Sequence, residues 1–125
     1  MKAGLLTITL AVLFSSAAAI AEQAKYDGNE LLGQCQQYVK AADKEKIYDQ
    51  FDAASCGGFV QGVTGTVFFY SELLKNDDKF CVPDSATNGQ VVRIVVKYLR
   101  DNPKLLNENR VTLVWLALQD AYPCK

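Results

Sequence analysis

Residues 80–124 read F-C-V-P-D-S-A-T-N-G-Q-V-V-R-I-V-V-K-Y-L-R-D-N-P-K-L-L-N-E-N-R-V-T-L-V-W-L-A-L-Q-D-A-Y-P-C, a stretch that opens near one cysteine and closes on another. Thr87 followed by Gln90 has the form of a capping box, in which the threonine hydroxyl accepts from a backbone N–H three residues on and the glutamine reaches back. A helix is therefore expected to start there. Pro103 cannot continue it and pushes Asn102 towards an extended conformation. Asn107 is placed to cap the next helix, along which Val111, Val114, Trp115, Leu118 and Tyr122 recur at helical spacing. By propensity V-V-R-I-V-V at 91–96 would pass for a strand. The stripe Val91, Ile94, Val95, Tyr98 runs directly on from the capping box and decides for helix.

Upstream, Asp27 and Glu30 offer a second capping box, and Leu31, Leu32, Cys35, Tyr38, Val39 and Ala42 form the apolar stripe of a first helix. A polar connector follows at 42–46. A second helix is expected from Asp49 or Asp52 to Lys75, with Cys56, Phe59, Val60, Val63, Val67, Tyr70 and Leu74 at steps of three and four. Ala54, Gly58, Gly62 and Thr66 add a second stripe of small residues. Glycine inside a helix costs up to about 1 kcal/mol relative to alanine, so a close approach by another helix should offset it. Packing within the domain is the first reading of that stripe and a homodimer seam the second. The expected fold is all-α, a compact four-helix domain stapled by two disulfides.

Residues 1–21 read as a cleaved signal peptide: Lys2, an apolar run from Leu5 to Phe14, then Ala19-Ile20-Ala21 as a small-x-small site. The apolar run is about half the length of a membrane span. Its removal takes 21 of the 125 residues and leaves residues 22–125, 104 in all, as one domain. No stable membrane anchor is expected, because the later apolar segment at 53–70 is diluted by Ser, Cys, Gly, Gln and Thr. The four cysteines, Cys35, Cys56, Cys81 and Cys124, in an exported chain of this size point to two disulfides with three possible pairings. Cys35 and Cys56 lie on the apolar faces of adjacent helices joined by a short connection, which favours that pair and leaves Cys81 with Cys124.

The composition narrows the chemistry. The chain contains no histidine, which removes the commonest general base and metal ligand. Oxidised cysteines are not nucleophiles. Asp49, Asp52, Asp77 and Asp78 are explained by caps and loops. Neither an enzyme nor a cofactor or metal site is expected. Residues 22–80 carry ten acids against six bases and residues 81–125 four against six. There is no basic cluster with interleaved aromatics, so nucleic acid is not an expected partner. Phe59, Phe68, Phe69, Tyr98 and Trp115 are expected to fill the core, which argues against a small-ligand carrier.

Several motifs together carry a resemblance: the Cys35 helix, C-G-G-F-V-Q-G-V at 56–63, F-C-V-P-D at 80–84, G-Q-V-V-R-I-V-V-K-Y-L at 89–99, N-P at 102–103 and A-Y-P-C at 121–124. In this combination the chain resembles the Rap-type immunity proteins. The resemblance implies an exported, disulfide-containing helical protein of the bacterial periplasm. It also implies binding and blocking a peptidoglycan amidase effector of a type VI secretion system, and a tendency to dimerise. The rival class is a periplasmic binding or envelope stress protein unconnected with toxins. A neighbouring gene for a cell-wall hydrolase would favour the first, and an isolated stress-induced gene the second. The expected partner-binding surface is the disulfide-anchored loop, with Asp77, Asp78, Lys79, Asp84 and Ser85 as its contacts; the other reading of the loop is an ordinary connector that Asp77 and Asp78 only solubilise.

Overall fold

The computed structural model describes residues 26–125, so the expected signal peptide and its cleavage site lie outside the described residues. Four helices follow one another: α1 (Gly28–Ala42), α2 (Gln50–Phe69), α3 (Asn88–Asp101) and α4 (Arg110–Ala121). Each begins at a side chain that satisfies an orphan N–H of the first turn. Asp27 accepts from the Glu30 N–H, Asp49 from Asp52, Thr87 from Gln90, and Asn109 from Val111. At Thr87 the box is complete, since Gln90 Oε1 accepts from the Thr87 N–H at 2.8 Å. Asn109, two residues past the expected Asn107, caps α4. Residues 103–105 form a 3-10 turn after Pro103, and Asn107 instead accepts from the Asn29 side chain at 3.2 Å.

The core is aliphatic. Leu31, Cys35, Cys56, Val60, Val92, Val95, Leu99, Leu113, Val114 and Leu118 are all fully enclosed, and α1 packs mainly on α2 and α3, with α4 lying against α3. In α4 the buried face is Leu113, Val114, Ala117 and Leu118, whereas Val111 is exposed. The expected stripe is therefore rotated by about one residue at its start. Both disulfides form, Cys35–Cys56 and Cys81–Cys124, with Cα separations of 5.0 and 5.1 Å. The first ties α1 to α2 inside the core; the second closes the loop after α2 onto the segment after α4.

α1 ends in a Schellman motif. The Lys44 N–H donates to Ala41 O and the Glu45 N–H to Lys40 O, and Lys44 takes the left-handed conformation (φ 59°) that such an ending needs. The other end of α1 docks on the α3–α4 connection: the Gly28 N–H donates to Glu108 O and the Asn29 N–H to Leu106 O.

Three expectations fail in α2. The helix stops at Phe69, not Lys75. Three aromatics and a serine are indifferent helix formers there. Turning at Tyr70 also lets Leu74 pack on the core, while the Lys79 ammonium donates to the Ser71 carbonyl at 2.7 Å. Nor does the stripe of small residues pack within the domain. A Cβ built on Gly58, Gly62 or Gly65 would meet nothing within 4 Å. With it, Phe51, Phe68 and Phe69 stand 78%, 82% and 77% exposed, so the last two do not fill the core. Phe59, Tyr98 and Trp115 do pack against it. Among the described residues no helix is long and apolar enough to cross a membrane.

Candidate functional site

The loop between α2 and α3 is polar and exposed at its tip, but it is tied at five points. Asn76 Nδ2 donates to Lys125 O at 2.8 Å. The Gln119 side chain donates to Asp77 O, and the Lys79 ammonium to Ser71 O. The Cys81 N–H donates to Tyr122 O at 2.8 Å, and Cys81 is bonded to Cys124. Between these ties Phe80 is buried edge-on against Trp115, with ring centroids 5.6 Å apart. A loop held this way presents its side chains on a preorganised backbone.

The five expected contact residues are not one patch. Asp77 and Asp78 sit on a single exposed 3-10 turn, Asn76–Asp78. Lys79 and Asp84 line a groove of about 570 Å³ between the loop and the second half of α2. Ser85 faces elsewhere, into a shallower hollow that it shares with Arg93 and Tyr122. Lys79 has its ammonium committed to a backbone carbonyl. Among the described residues Asp77, Asp78 and Asp84 have no cationic partner; the ion pairs there are Arg93–Asp43 and Lys97–Asp101. Each raises the pKa of its base, chiefly through the hydrogen bond to the carboxylate.

Sequence reasoning missed the groove wall made by Phe68 and Val82. A second hollow of about 400 Å³ lies on the other flank of α2, where Gly58 and Gly62 leave room beside Phe59 and Trp115. The signal was available: α2 carries one charge, Asp52, in twenty residues and is apolar on every side. A helix of that kind is ordinarily covered all round. Thr64 and Thr66 remove their own polarity, since their hydroxyls donate back to the Val60, Gln61 and Gly62 carbonyls. On α4, Arg110 lies between the rings of Tyr26 and Phe59, at 4.6 and 4.2 Å from their centroids, a cation–π arrangement that fixes the α4 start. No group of three or more His, Cys, Asp or Glu that could hold a metal ion occurs among the described residues.

The family of Rap1a immunity proteins matches residues 27–124, nearly the whole described chain. The chain belongs to this family. No curated protein and no solved structure matches it. For a Rap1a immunity protein the function is to bind a protein effector, and the features to weigh are surfaces: an anchored acidic loop, the groove beside it and an uncovered apolar helix.

Proposed function

We propose that this chain is a periplasmic immunity protein, not an enzyme, that binds and inhibits a peptidoglycan amidase effector of a type VI secretion system. On this reading residues 1–21 are removed on export, leaving residues 22–125. The observation that carries it is the family match over residues 27–124. The structure is consistent with it: an inhibitor needs no catalytic group, only a rigid surface of the right shape, and the disulfides and loop ties supply rigidity. The loop around Asp77, Asp78, Lys79, Asp84 and Ser85 is the proposed docking surface.

The experiment is affinity capture with the mature, oxidised protein as bait against periplasmic and secreted fractions of its own bacterium. Retention of a peptidoglycan amidase that stops cleaving its substrate at one equivalent of bait, and its release on Asp77→Ala with Asp78→Ala, is the expected result. Retention of another envelope protein, or of none, would replace the amidase reading with the stress-factor one.

A specific observation also favours a homodimer through α2. Its exposed stripe is nearly palindromic about Val60: Gly58 mirrors Gly62, Ala54 mirrors Thr66 and Phe51 mirrors Phe69. Two antiparallel copies related by a two-fold axis at that point would set small residues against small and place a phenyl at each end. Such reciprocal contacts are what an isologous interface requires. Sedimentation equilibrium tests it: Gly62→Leu should yield a monomer if the seam lies there.

A further inference from the structure

The groove between α2 and the loop has a character of its own. Val67 and Phe80 are buried behind it, and Val82 and the exposed Phe68 form its walls. At about 570 Å³ it lies within the range, roughly 300–1,000 Å³, of cavities that enclose a small ligand or a large side chain. Leaving the Phe68 ring in water forfeits apolar burial that an occupant would recover. The rim is charged. Lys79 and Asp84 are the charged residues that line it, beside the polar Gln61, Thr64 and Ser71. The Lys79 ammonium donates to Ser71 O, and both residues line the groove. Asp84, exposed and without a cationic partner among the described residues, stands at the mouth.

From this geometry, and resting on the effector-binding reading above, we propose that the groove receives a bulky apolar side chain of the effector. The neighbouring effector residue is a lysine or arginine that pairs with Asp84. The immunity protein thus accepts a knob as well as presenting a loop. The apolar walls select the knob, the carboxylate beside it selects the sign of the flanking charge, and the Cys81–Cys124 tether keeps the groove open before the partner arrives.

The test uses short peptides, so it does not depend on finding the effector. Ac-Trp-Lys-NH2, Ac-Trp-Glu-NH2 and Ac-Ala-Lys-NH2 are titrated into the labelled mature protein and amide shifts are followed by NMR. Trp-Lys should move the amides of Phe68, Val82 and Asp84, and bind roughly twofold to fivefold more tightly than Trp-Glu, the range of an exposed ion pair. Ala-Lys should not bind, Asp84→Lys should invert the preference, and Phe68→Ala should weaken both tryptophan peptides with an unchanged melting curve. Shifts that do not localise, that fall in the α2–α4 hollow, or that fail to separate Trp-Lys from Trp-Glu would overturn the proposal. So would groove amides that move on dilution of the protein alone, which would assign the groove to a second copy. If capture yields an amidase that Phe68→Ala and Asp84→Lys still bind normally but Asp77→Ala with Asp78→Ala does not, the groove is wrong and the loop reading stands without Asp84. Localised, charge-selective shifts with no amidase captured would mean the reverse: the groove stands and the amidase reading falls.

Discussion

Gly28 and Leu113 meet with no side chain between them. A Cβ at residue 28 would fall inside the van der Waals envelope of Leu113 Cδ1 and lie 3.0 Å from the Leu106 carbonyl oxygen. The first turn of α1 is thereby seated directly on α4 and the connector before it. Gly28→Ala should cost about 1–3 kcal/mol, the usual penalty of overpacking, because backbone as well as side chain would have to move. Urea unfolding with an unchanged m-value is the measurement.

The helix-interior glycines on the outer side of α2 predict the opposite sign. Gly58→Ala, Gly62→Ala and Gly65→Ala meet open space and should each stabilise the isolated domain by about 0.5–1 kcal/mol. Gly57 differs: its Cβ would lie 2.9 Å from the Tyr38 ring, so alanine there gains propensity and loses packing, and should fall below the other three. Four single variants unfolded at a dilution where the protein is monomeric would show the split.

The two disulfides should not reduce together. Cys35 and Cys56 are each 0% exposed, whereas Cys81 is open to solvent. A thiolate reductant needs access to a sulfur. Under graded dithiothreitol, alkylation and peptide mapping should label Cys81 and Cys124 first. Double replacement of Cys35 and Cys56, 21 residues apart, should cost about 3 kcal/mol, and of Cys81 and Cys124, 43 apart, about 4 kcal/mol, on the loop-entropy account.

Lys44 is a lysine where a Schellman ending favours glycine. Lys44→Gly should raise the unfolding free energy by about 1 kcal/mol, relief of the left-handed penalty set against the added freedom of the unfolded chain. Thermal unfolding compares the two directly.

Stability should be nearly level through neutral pH, because the chain has no histidine. Lys97 has its folded pKa raised above 10.5, first by the hydrogen bond to Asp101. Its contribution is therefore complete below that unfolded value and disappears as pH climbs through the folded one. Melting temperatures of the wild type and Lys97→Met should differ by a constant, small amount up to about pH 10, then converge.

What is legible in the sequence follows from local physics. Thr87 with Gln90, Asp27, Asp49 and Pro103 mark helix ends through bonds made within three or four residues. The stripe through Cys35 and Cys56 brings two sulfurs to one interface. Less legible is anything set by distant neighbours. Asn107 is the expected cap of α4, yet its side chain accepts from Asn29 across the fold and Asn109 caps the helix instead. Nothing local forbids helix at Tyr70, so periodicity carries α2 on to Lys75; the turn depends on Lys79 and Leu74 returning to meet it. Hydrophobicity alone does not reveal which apolar face lacks a cover, and on that ground Phe68 and Phe69 pass for core residues. Ser85 and Asp84 are adjacent in sequence, yet the chain turns between them and separates their surroundings.

The short backbone pairings at both ends of α4 set an order of events. Asp27 pairs with Asn109 and Phe80 with Pro123, so the start of α1 and the loop after α2 each wait for residues near the end of the chain. A chain emerging N-terminus first, from a ribosome or a translocation pore, could form α1 and α2 and oxidise Cys35 with Cys56 early. It could not seat the start of α1 until residues 106–113 were through, nor fasten the acidic loop until residue 124 was. The surface proposed to meet the effector would set after the core, and a nascent chain stalled before residue 124 would hold an ordered core and an unfinished face.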